Sequence, residues 1–459
     1  MILQATSRSM VAAALILSAA GCSTISRINP FGGEERPQAQ ATEGRRVSVI
    51  AFDQTVTPAE ALKGVAFDIP PAVRNTEWTH GGGSPEQSIA HVEAAPQLEV
   101  AWRRRVGQGS SRANQVTATP IIVGGRIYSM DGQARVNAHD AASGAPVWSV
   151  DLSPAERRDR EAYGGGLAFA DGRLYVSSGF RFVAALNPAT GAVTWRTATD
   201  APIRSAPTVA TGRVFAVSAD NEVVALDAAT GAEAWSHQAL VEPARFAIAS
   251  SPAASGDTVV APFASGELVA LRAQNGNQLW TDVLSRASRT NALSELRDIA
   301  GRPVIYEGDV FATSNSGVFS ATDLRTGTRR WSLPISGLTT PWPAGDVVYV
   351  MSKGGELICV ARDSGQVYWV RDLNEGRVRR QGGLFGIGDR EVRPTWSGPL
   401  LASNRLIVVS TDGDLVSVDA RTGAVQTTKR LGSPAFLTPV AANGTVYVMT
   451  EEAELIALR

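Results

Sequence analysis

The sequence predicts an all-β chain folded as an eight-bladed β-propeller, with a last blade closed by strands from both ends of the chain. Three observations carry this. A strand–turn–strand unit, nearly always ending in Trp, recurs seven times between Val136 and Thr427. A second hairpin of the form small-Pro-x-apolar, a Gly or Asp turn and an apolar run precedes each copy, giving four short strands every roughly forty to fifty residues, the size of one blade. The two ends of the repeating region carry complementary fragments of an eighth unit.

In chain order, residues 1–21 read as a leader. Arg8 supplies a modest positive charge, Met10 to Ala20 are apolar, and Ala19, Ala20 and Gly21 lead into Cys22. The apolar stretch is too short for a membrane span, which takes roughly twenty residues. Small residues before a lone Cys predict a lipobox with Cys22 as the lipidated amino terminus; an ordinary cleaved leader with an incidental Cys is the other reading. Residues 22–44 hold Pro30, Pro37, glycines and polar residues without apolar periodicity, the composition of a flexible tether. Residues 45–96 form an irregular lead-in. Within it Thr57 to Lys63 predict a helical turn capped by Thr57 with Pro58 at its first position, and Trp78 to Gly83 a loop laid on the body.

The propeller occupies 97–459. Its repeats read VNAHDAASGAPVW (136–148), VAALNPATGAVTW (183–195), VVALDAATGAEAW (223–235), LVALRAQNGNQLW (268–280), FSATDLRTGTRRW (319–331), LICVARDSGQVYW (357–369) and LVSVDARTGAVQT (415–427). Alternating apolar residues make an inner strand, the Asp and the Ser/Thr/Asn-Gly pair make a turn needing positive φ at Gly, and the next strand leads out to Trp. Leu437 to Arg459 then supply three further strands and stop where a fourth is due, while Leu98 to Trp102 supply one strand with a Trp and no unit before it. Pairing them closes the ring and removes two open sheet edges.

A formal net charge of -1 sets nucleic acid aside as a partner. Past the leader only Cys359 remains, so the mature chain holds no internal disulfide; flanked by Leu357, Ile358 and Val360, its thiol reads as a small buried hydrophobe. His80, His91, His139 and His237 lack paired spacing, which argues against a metal site. Each repeat Asp is explained by its turn, leaving no obvious catalytic base. Arg377, Arg379, Arg380, Arg390 and Arg393 form a basic loop, read as solvated surface or, alternatively, as a contact for acidic loops or lipid headgroups.

The Asp-x-x-[Ser/Thr]-Gly-x-x-x-Trp repeat resembles the tryptophan-docking motif of pyrroloquinoline-quinone-type propellers across Leu98–Arg459. The resemblance implies that Trp102, Trp148, Trp195, Trp235, Trp280, Trp331 and Trp369 pack between neighbouring blades, and that the interface at Thr427 is the weakest. Quinoprotein dehydrogenases share this repeat but add a vicinal Cys pair, calcium-binding acidic and amide side chains and a catalytic Asp, whereas here Cys359 stands alone and no repeat Asp is left over as a base. The order of leader, lipidated Cys, linker and eight docking-motif blades is similar to the BamB family, scaffold lipoproteins of the outer-membrane β-barrel assembly machinery. That resemblance implies a non-catalytic protein without cofactor or metal, anchored at Cys22 in the outer membrane and facing the periplasm. It implies binding to the POTRA domains of BamA and to other subunits of the machinery, with nascent barrel proteins as further candidates. The partner surface it points to is Arg245, Phe246 and Ile248 in one loop and Leu296, Arg297 and Asp298 in a second. A periplasmic dehydrogenase-like oxidoreductase using pyrroloquinoline quinone is the alternative.

Overall fold

Apolar strands of three to seven residues, each too short to bury much surface alone, become stable here by stacking as sheets around a ring. In the computed structural model, residues 56–154, 164–240, 250–285, 298–381 and 390–459 are described. They form eight four-stranded antiparallel sheets and one additional two-stranded hairpin, Arg379–Gln381 with Arg390–Val392. Blade 1 spans residues 121–151, blade 2 165–198, blade 3 208–238, blade 4 253–283, blade 5 304–333, blade 6 342–372 and blade 7 396–430. In each, sequence order is spatial order from the channel outward.

Blade 8 is composite. Val440–Ala442, Thr445–Met449 and Glu454–Leu458 form its three inner strands, and Val100–Arg105 pairs antiparallel with the last of them as the outermost strand. The ring is therefore closed by strands from both ends of the repeating region.

The core is distributed in the same way. Buried residues cluster between adjacent blades, as where Val217, Val223 and Phe215 of blade 3 meet Val259, Val269 and Leu271 of blade 4. The largest cluster runs through blades 6, 7 and 8 into blade 1 and includes Phe67, Trp78, Val92 and Leu98, which precede the ring.

The docking geometry follows from a register device. In every blade the pairing of the third and fourth strands slips by one residue just before the Trp position, as between Ala225↔Trp235 and Leu226↔Glu233. Such a bulge re-aims the next side chain, here toward the following blade. Each indole then lies on the turn Gly of its neighbour: Trp102 on Gly144, Trp195 on Gly231, Trp369 on Gly423. A side-chain carbon built on these glycines would stand 2.5 to 2.9 Å from a Trp atom, so Gly is required there by close approach as well as by its positive φ. Five of the indoles donate Nε1–H to a backbone carbonyl of the next turn, as Trp280 to Leu324 at 2.7 Å and Trp235 to Ala273 at 3.0 Å.

Thr427 keeps the bulge but has no Gly to meet, because blade 8 carries the break between Arg459 and Val100 where the other blades carry their turn. The predicted helical turn shrinks to one 3-10 turn, Glu60–Leu62, preceded by Ala59 rather than capped by Thr57. Ala59 N–H instead pairs with Val367 O of blade 6, so docking overrides the local capping signal.

Candidate functional site

An innermost propeller strand faces the channel with unpaired backbone N–H and C=O groups, an open edge that costs free energy unless something satisfies it. The lead-in bonds to backbone groups of this edge in seven blades and, in blade 6, to a side chain of the innermost strand. Trp78 exchanges two backbone bonds with Ile122 of blade 1 (2.6 and 2.8 Å), and Thr79 O accepts from Phe169 N–H of blade 2. His80 Nε2 accepts from Val209 N–H of blade 3, Pro85 O from Ala254 of blade 4, and Glu86 O from Ile305 of blade 5. In blade 6 the equivalent residue, Pro343, has no N–H, and Trp342 Nε1 donates to Ala90 O instead. Val92 N–H donates to Leu401 O of blade 7, and Asn75 Nδ2 to Ala441 O of blade 8. The segment read from sequence as a loop laid on the body therefore enters the channel and lines it.

Burial of this segment fixes the protonation of its histidines. His80 is almost inaccessible, and loss of hydration pulls its pKa from 6.5 down to about 4. Thr79 Oγ1 donates to Gly83 O, so His80 Nδ1 carries the hydrogen and donates to Thr79, leaving Nε2 as the acceptor for Val209. His91 is built alike: Nδ1 meets Pro70 O at 2.6 Å, Nε2 accepts from Asn404 N–H at 2.8 Å, and burial lowers its pKa. Both are neutral structural bridges. No group of three or more His, Cys, Asp or Glu among the described residues is placed to hold a metal ion.

The lead-in meets blades 6 to 8 at their first turns, at Gly345, Asn404 and Gly444, on the face that also carries the Asp–Gly turns. Antiparallel pairing puts the links between blades at the opposite end of the channel. There a cavity of about 440 Å³ opens, walled by residues just ahead of the innermost strands, among them Thr119, Ser251, Arg302, Thr340 and Thr438.

The two sequence-predicted partner loops are links of this kind. Segment 241–249 joins blades 3 and 4, and Ser250 and Ser251 at its end line the cavity; segment 286–297 joins blades 4 and 5. Arg245, Phe246, Ile248, Leu296 and Arg297 lie outside the described residues, as does Cys22. Asp298 is described: it is buried, and its carbonyl accepts Asn315 N–H at 2.9 Å. In the basic loop, Arg377 pairs with Asp414 at 2.6 Å and lies over Trp396, while Arg379 pairs with Asp412 at 2.7 Å. Blade 7 thus neutralises part of that cluster. Cys359 is fully buried opposite Trp369 and Tyr349, and burial pushes its thiol well above the usual range.

A ring of four-stranded blades, Trp-on-Gly docking and a split closing blade define a propeller of the pyrroloquinoline-quinone-repeat class. A family model described as outer membrane protein assembly factor BamB matches residues 132–371 and 376–459, and the chain belongs to that family. A second model, the β-propeller domain of glucose/ethanol/alcohol dehydrogenases, matches only residues 84–170. The outer membrane protein assembly factor BamB of Salmonella typhimurium is 26% identical over 385 residues, covering 82% of this chain and 94% of that protein. The crystal structure of BamB from Moraxella catarrhalis superposes with a TM-score of 0.64 at 17% identity, over 79% of this chain and 99% of that one. Quinohemoprotein alcohol dehydrogenase from Comamonas testosteroni also reaches 0.64 at 15% identity, over 84% and 81% of the two chains. These structures share the fold.

Proposed function

We propose that the protein is a non-catalytic scaffold of the outer-membrane β-barrel assembly machinery, held at the outer membrane through lipidated Cys22 and facing the periplasm. Membership of the BamB family is the observation that carries this reading. The partner surface is assigned to the face that carries the interblade links, two of which are, by chain order, 241–249 and 286–297. Arg beside Phe, Ile and Leu is the residue mixture of interface hot spots, and rigid scaffolds commonly present such residues on loops. Arg245, Phe246, Ile248, Leu296 and Arg297 are assigned to the contact with the POTRA domains of BamA; Asp298, read from the sequence as a sixth contact residue, is buried and is left out of it.

The test is co-purification of BamA from outer membranes with the Phe246→Asp, Leu296→Asp double variant. Loss of BamA with an unchanged circular dichroism spectrum and Tm is the expected result. Retention of BamA at the native level would reject the assignment of these loops. The fold shared with quinohemoprotein alcohol dehydrogenase favours a second reading, an oxidoreductase using pyrroloquinoline quinone. A bound chromophore and dye-linked activity after reconstitution with that quinone and calcium would replace the scaffold reading.

A further inference from the structure

Strand register makes one position equivalent in all eight blades: the residue two before the start of the first-turn pairing, nearly always followed by Pro. Its occupants are Thr119, Gly166, Ala206, Ser251, Arg302, Thr340, Gly398 and Thr438. Seven are small, and hydroxyls recur among them. The blade 5 residue is Arg302, a guanidinium at a register position that is neutral in the other seven blades; Arg204, outside this position, lines the same cavity.

Protein surrounds Arg302 on all sides while it keeps some surface toward the cavity, and loss of hydration brings its pKa down to about 10, so it is charged at neutral pH. Among the described residues its side-chain hydrogen bonds go to hydroxyls: Nη2 to Thr119 Oγ1 at 2.8 Å, and Nη1 to Thr340 Oγ1 at a long 3.5 Å. A guanidinium has five N–H donors, and a buried charge is ordinarily paired. Glu451, on the same cavity wall, is itself raised by burial and does not pair with it. From below, the lead-in fits against the cation: a side-chain carbon on Gly81 would fall 2.9 Å from Arg302 Cζ, so a larger residue there would displace the guanidinium. A forked cation on a backbone floor, hydroxyls around it and a second guanidinium, Arg204, on the same cavity wall form a built receptor for a small anion.

We propose that the channel cavity binds a small carboxylate or phosphate anion on Arg302, with Thr119, Ser251, Thr340 and Thr438 supplying hydroxyl hydrogen bonds. The guanidinium fork matches both acid groups in a bidentate mode. A cavity of about 440 Å³ admits a metabolite-sized molecule and excludes a folded domain.

Isothermal titration of the intact protein in a chloride buffer with succinate and, separately, inorganic phosphate tests this and distinguishes the two sources. At least one probe is expected to bind at about millimolar strength or better, and Arg302→Met to weaken it about tenfold or more. Arg302→Lys, which keeps the charge and loses the fork, should fall between the two. Should Arg302→Met not fold, Thr340→Val carries the same test with a smaller expected loss. No heat from either probe in the native protein, or equal titrations in native and variant, would overturn the site and leave Arg302 as a brace across the channel.

Discussion

Two imidazoles in the lead-in make the molecule acid-sensitive at defined atoms. For His80 the folded pKa of about 4 lies below the unfolded value of 6.5. Above pH 6.5 both states are neutral and its contribution to stability is fully present. As the pH falls from 6.5 toward 4, the unfolded chain takes up a proton that the folded chain refuses, and stability drops by about 3 kcal/mol in all. Charging His80 would also place a proton on the nitrogen that accepts from Val209. Urea unfolding at pH 7.5 and 4.5 should show this loss in the native protein and a smaller one in His80→Gln; identical pH slopes would remove His80 from the acid response. Neither histidine was legible as structural from sequence, because their long-range partners, at Val209, Pro70 and Asn404, are backbone groups that any residue could supply. Arg302 did leave a signal, a cation in a column of small residues preceding proline, visible once the blades are aligned by their first turns.

At the level of elements, the Trp repeat and the blade boundary at Thr427 explain each other. An indole at 427 would find no Gly-bearing turn, since blade 8 is interrupted there. Other contacts span the seam. Val92 bridges to Ala402 and Ala94 to Gly444, Ser403 Oγ bonds both backbone groups of Ala94, Arg405 reaches the carbonyls of Ala95 and Pro96, and Lys429 pairs with Glu99 at 2.5 Å. The expectation of a weakest interface therefore meets a seam without Trp but crossed by a strap. Thr427→Trp should leave stability within about 0.5 kcal/mol, whereas Trp369→Ala should cost about 3–5 kcal/mol, both read from denaturant midpoints. A clear gain from Thr427→Trp would mean that a docking slot exists after all. The blades were readable because each strand and turn carries its own residue pattern, repeated many times. The strap was not, because its bonds are mostly main chain to main chain and its shape is dictated by the channel rather than by its own sequence.

For the whole molecule, closure depends on Glu454–Leu458, which lies between Thr445–Met449 and the Val100–Arg105 strand. Leu455, Ile456, Ala457 and Leu458 are essentially inaccessible to solvent. Removing Leu455 to Arg459 would strip the composite blade of its centre and leave Val100–Arg105 without a partner. Differential scanning calorimetry should place this deletion roughly 10 °C or more below one of equal length within 286–297. Equal Tm values would show that the ring does not rely on its closing strand.

The segment that touches all eight innermost strands also sets the order in which the protein can be made. Residues 78–95 leave the ribosome before any blade exists, yet their partners include Leu401, Ala402 and Gly444, near the last residues to emerge. Such separation between contacting residues slows folding and prolongs the life of unpaired strand edges. Trp78 to Glu86 can pair with blades 1 to 5 as these emerge, but Val92 to Ala95 have no partner until blades 7 and 8 are made, and meanwhile the growing chain is a row of open sheets in need of protection from one another.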